Sequence, residues 1–145
     1  HRDLHSFPTR RSSDLLAASC SLLADQPVDL SKIDTSKLAP PAAKKDLTFV
    51  RDIKPLVQNS CGKCHGPEKP KGKFRVDSRE FLLKGGESKT PVVVPGQSAK
   101  SALVLFASDL VEEMEMPPKD KRTKFPALNP EQIGILRAWI DQGAK

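Results

Sequence analysis

Apolar residues in this chain come in short bursts separated by long polar stretches, and within each burst the spacing is helical. Phe49, Ile53, Leu56 and Val57 recur at the intervals of one helix face, with Thr48 or Asp52 in place as a cap. Pro55 then falls in the first turn, where no intrahelical N–H is lost. A second, shorter helix is predicted over Ser78–Lys84, capped by Asp77 or Ser78 and stopped by Gly85-Gly86. A third is capped by Ser101 and runs through Leu103, Leu105 and Phe106. The last is the best marked. Asn129 is its N-cap, Pro130 its first residue, Ile133, Leu136, Trp139 and Ile140 its apolar face, and Gly143 its stop. Between these lie a loop over 66–73, a short extended piece at Phe74–Asp77, and Val92-Val93-Val94 leading into a Pro95-Gly96 turn. A lysine-rich loop covers Lys119–Lys124. The fold class is therefore mostly α, short helices joined by long loops.

The stretch before residue 47 follows other rules. Residues 1–15 read as the translation of a sequencing adapter and are set aside, His1 and His5 with them. Residues 16–24 read as a signal-peptide remnant with cleavage after Ala24. Cys20 as a lipoprotein acceptor is the competing reading, although Ala17 stands where a lipobox usually has Leu. Residues 25–46, with Pro27, Pro40 and Pro41, read as a flexible linker or an arm lying on the surface. The folded domain is expected over 47–145. No apolar run approaches the 18 or so residues of a spanning helix, so no transmembrane segment is expected in this chain.

Composition narrows the classes. The 145 residues carry a formal charge of +6 but only six Phe, one Trp and no Tyr, which is little aromatic mass for a core. Lys and Arg are interleaved with Asp and Glu, and no aromatic stacking platform accompanies them, so no nucleic-acid partner is expected.

Cys61-Gly62-Lys63-Cys64-His65 changes the picture. Side chains at i, i+3 and i+4 of a helical turn share a face. Cys61 and Cys64 are thus placed to form thioethers to two vinyl groups while His65 meets iron from the same side, the attachment signature of c-type haem. A structural zinc site needs further Cys or His ligands downstream, and none follows. A thioredoxin-like pair needs a βαβ surround that the pattern lacks. A buried haem would also supply the missing apolar mass. Outside residues 1–15, His65 is the only histidine, so bis-His ligation within the chain is excluded. The sixth position falls to Met114, Met116, a lysine or nothing. Met116 is favoured because Pro117-Pro118 stiffens the chain that follows it, with Met114 facing elsewhere.

Phe49-x-x-Asp52-Ile53-x-Pro55-Leu56, the Cys61–Gly66 motif, Phe74–Ser78, Gly85-Gly86, Pro95-Gly96 with Ser101-x-Leu103, Met116-Pro117-Pro118 and Trp139-Ile140-x-x-Gly143-Ala144 occur in that order. The series resembles the planctomycete-type cytochrome c domain over about residues 47–145; Phe74 stands where Leu is common. The resemblance implies the cytochrome c fold, one covalently attached haem c, His65 as proximal ligand and Met116 as distal ligand. It also implies an extracytoplasmic, periplasmic setting, and either a lone domain or the leading module of a larger protein. The expected role is electron carrier with a redox protein partner, acidic if Lys63, Lys69, Lys71, Lys73, Lys119, Lys121, Arg122 and Lys124 form a basic rim. The competing role is a five-coordinate haem enzyme or gas sensor, with Glu113 or Glu115 as its acid–base group. Protein matured in a host that attaches haem c should keep its haem through acid–organic extraction and denaturing electrophoresis. Freely extracted haem, or zinc in its place, would refute the covalent assignment.

Overall fold

The computed structural model describes residues 26–145; the adapter-like segment, the signal-peptide remnant and Cys20 lie outside the described residues. Helices α1 (Lys54–Cys61), α2 (Arg79–Lys84), α3 (Ala102–Ala107) and α4 (Pro130–Asp141) are joined by loops holding single 3-10 turns, and the described residues contain no strand. The fold is mostly α, as the patterning predicts.

Each helix end has a chemical cause. α4 begins with a full capping box: Asn129 Oδ1 accepts the Gln132 N–H, and Gln132 Oε1 accepts the Asn129 N–H. Ser78 Oγ accepts the Phe81 N–H at the start of α2, which ends at Gly85. Two caps differ from expectation. A π-turn over Phe49–Ile53 runs straight into α1, and Thr48 occupies the cap position without a side-chain bond. Asp52, instead of capping α1, reaches back to accept the Thr48 N–H at 2.9 Å. Ser101 precedes α3, yet its hydroxyl is spent elsewhere. It accepts the Val94 N–H and donates to the Gln97 carbonyl, bracing the Pro95-Gly96 turn.

The core forms around one face of α4. Trp139, Leu136 and Ile140 are fully buried with Ile53, Val57, Val76, Leu82, Val104 and Leu105. Each such side chain contributes about 1.5–3 kcal/mol on leaving water. Trp139 packs at a tilt on Phe49, ring centroids 6.0 Å apart. Its indole N–H and the Phe49 backbone N–H both donate to the Lys145 carbonyl. The chain's end is thereby sewn to the start of the helical domain.

The described residues of the stretch read as a linker, 26–46, lie along the body as an arm. The Ala42 N–H donates to the Gly134 carbonyl of α4, Arg137 donates to the Ala39 carbonyl, and Gln142 donates to the Lys44 carbonyl. Gly134 permits this approach: a Cβ there would sit 2.8 Å from the Pro40 carbonyl oxygen.

Lys44 and Arg51 both donate to the Asp52 carboxylate, joining the arm to the first turn. With the Thr48 N–H, these hold the Asp52 carboxyl well below the usual carboxylate range, the Arg51 hydrogen bond being the largest cause. A lowered folded-state pKa stabilises above the unfolded value of about 4 and is lost as pH falls below it. Asp52→Asn should therefore be less stable than the parent in urea unfolding at neutral pH, the gap closing as pH is lowered from about 4. A gap independent of pH would show that the carboxylate charge plays no part.

Candidate functional site

α1 delivers the chain into the Cys61 motif, and Cys61 is its last residue. The turn continues past the helix: the Cys64 and His65 N–H groups both donate to the Cys61 carbonyl. The i, i+3, i+4 relation expected of the three side chains is thus present in the backbone. The Val76 N–H donates to the His65 carbonyl, fixing the extended piece 74–77 against the motif.

His65 is oriented through its ring. Nδ1 lies 3.1 Å from the Lys71 carbonyl and 3.2 Å from the Phe74 carbonyl. Both partners only accept, so Nδ1 carries the proton and Nε2 keeps its lone pair. Burial lowers the imidazole's pKa from its ordinary value, which favours this neutral form. Phe74 meets the ring edge-on at 5.0 Å. The turn bearing Lys71 is in turn held by Gly86, whose missing Cβ would lie 2.6 Å from the Gly72 carbonyl oxygen.

In front of this ring opens an apolar cavity of about 300 Å³. Cys61, His65, Phe74, Leu103, Phe106 and Met116 are among its walls. A smaller recess beside it, about 20 Å³, is lined by Cys64, Cys61, His65, Met116, Pro118 and Phe125 among others. Of the four predicted site residues, Cys61, His65 and Met116 meet at both cavities, while Cys64 faces the recess alone. Met114, expected to face elsewhere, lines the main cavity too. Residues two apart on a non-helical stretch share a side, and 114–116 is such a stretch. Burial pushes the Cys61 thiol up to about 12, with the neighbouring Cys64 adding to it, so the free thiol stays protonated at neutral pH. Among the described residues, no three His, Cys, Asp or Glu side chains come together as a metal site would require.

Residues 61–120 match the planctomycete cytochrome C family. Over those residues the chain is similar to c-type cytochromes, a family whose cofactor is a c-type haem. No curated protein matches the chain. Among solved structures, Kuenenia stuttgartiensis hydrazine synthase is similar over 68% of this chain, with 22% identity and a TM-score of 0.47. The overlap spans 16% of that chain's length. The residues present fit the haem: a flat apolar group matches the apolar walls, two thiols are at hand for its vinyl groups, and an imidazole with a free Nε2 and a thioether are donors suited to its iron.

Sequence reasoning misses the partners that orient these side chains. Two backbone carbonyls hold His65, and a third, that of Phe106, accepts the Met116 N–H at 3.0 Å. No residue type signals such a partner.

Proposed function

We propose that this chain is a monohaem c-type cytochrome domain carrying electrons outside the cytoplasm, alone or as a module of a larger protein. The observation that carries the reading is the meeting of Cys61, His65 and Met116 on one apolar cavity, with His65 Nδ1 committed to carbonyls. Cys61 and Cys64 hold the macrocycle, each thiol adding across a vinyl double bond. His65 Nε2 and the Met116 thioether would hold the iron. Bound there, the haem supplies an iron that changes oxidation state by one electron. The thioether is a soft donor that favours the ferrous state, and the apolar walls disfavour the extra charge of the ferric one, so both raise the potential. With both iron ligands supplied by the protein, no site for a substrate would remain on the metal, which separates a carrier from an enzyme or gas sensor.

Met116 serves as the ligand because it borders both cavities, whereas Met114 borders only one. Met116→Ala should abolish the weak long-wavelength absorption of Met-ligated ferric haem, lower the potential and admit carbon monoxide. Met114→Ala should leave the spectrum near that of the parent. The reverse pattern moves the ligand to Met114. A parent that already binds carbon monoxide rapidly sinks the carrier reading in favour of the five-coordinate enzyme or sensor.

The partner is a redox protein with an acidic face. Cys64, Pro118 and Phe125 line the smaller recess, and Lys63, Lys119 and Lys124 adjoin those residues in the chain. Lys73, Lys119 and Arg122 of the expected rim already face Glu87, Glu115 and Asp109. Lys63, Lys69, Lys71, Lys121 and Lys124 make no ion pair among the described residues and form the steering set. Electron-transfer rates with an anionic partner should fall as salt carries the Debye length below about 10 Å. A flat response removes the steering.

A further inference from the structure

We infer that Asp109 and Arg122 form a clamp that positions Met116, a step that rests on Met116 being the iron's sixth ligand. Asp109 follows α3 in the left-handed region, φ 57°, which Asp tolerates better than most residues. Arg122 follows the 3-10 turn Lys119–Lys121 on the far side of the methionine. Its Nη1 and Nη2 donate to the two Asp109 carboxylate oxygens at 2.8 and 2.6 Å, and its Nε donates to the Pro117 carbonyl at 3.0 Å. One guanidinium thus ties the end of α3 to the residue that follows Met116. The Met116 N–H already rests on the Phe106 carbonyl of α3, so the methionine backbone is held by α3 on one side and, through Arg122, by the turn that follows α3 on the other.

Three features set this pair apart from an ordinary surface bridge. The fork is bidentate, the Arg122 side chain is part-buried (24% exposed) although Asp109 is more open (36%), and a third bond uses the remaining guanidinium edge. Lysine could not satisfy these three acceptors in one plane. The flanking charges are themselves matched, Glu115 accepting from Lys119 at 2.8 Å. A neutral thioether makes a weak bond to iron and cannot organise its own loop. Its time on the metal therefore depends on how firmly the loop is held beforehand.

The test compares haem-loaded parent, Met116→Ala, Asp109→Asn and Arg122→Gln by carbon monoxide binding to the ferrous form and by the ferric long-wavelength absorption. Under conditions where circular dichroism shows full folding, Asp109→Asn and Arg122→Gln should bind carbon monoxide on the order of tenfold faster than the parent, the effect expected from losing hydrogen bonds to a charged group. Their ferric absorption should weaken in step, and Arg122→Lys should fall between. If one variant does not fold, the other and Arg122→Lys carry the comparison. Rates and absorption equal to the parent's would overturn the clamp, whatever happens to the unfolding midpoint. A parent that lacks the absorption and binds carbon monoxide rapidly would instead remove the Met116 ligand on which the clamp rests.

Discussion

Burial of one face of α4 is the constraint under which the rest of this small domain is assembled. With one Trp and six Phe in the whole chain, few side chains can exclude much water, and Trp139 does so at full burial. Its position requires Phe49 beside it and the Lys145 carbonyl above its N–H. That requirement draws together the two ends of the domain, and the arm then lies down along the same helix at Gly134. α1, started by Phe49 and Ile53, is aimed by this packing, and so is the Cys61 motif at its end.

The site is built on the opposite principle. Its walls come from segments scattered between residues 60 and 128, most of them loops, and loops hold a geometry only where their backbone groups are partnered. Here they are. Lys71 and Phe74 carbonyls face His65, the Phe106 carbonyl takes the Met116 N–H, and the Gly72 carbonyl takes the Glu87 N–H across the missing Gly86 side chain. The result is a largely apolar pocket whose loop walls are held by partnered backbone groups.

The sequence by itself determined the helices and the local relation of the side chains in the Cys61 motif. The Asn129–Gly143 pattern marks α4 at both ends because capping and apolar periodicity are local properties, decided within a few residues. Cys61, Cys64 and His65 were legible for the same reason, their relation being set by one turn of backbone. Only the tertiary structure decided what these groups meet. Ser101 carries the signature of a cap yet spends its hydroxyl on the Pro95-Gly96 turn. Met114 comes to the same cavity as Met116. Arg122, one basic residue among several in a lysine-rich loop, reaches Asp109 thirteen positions away and the Pro117 carbonyl with it. The physical reason is common to all three. A side chain's intrinsic preference is local, but its hydrogen-bond partner, when that partner is a backbone carbonyl or a distant carboxylate, is set by packing, and no residue type announces it.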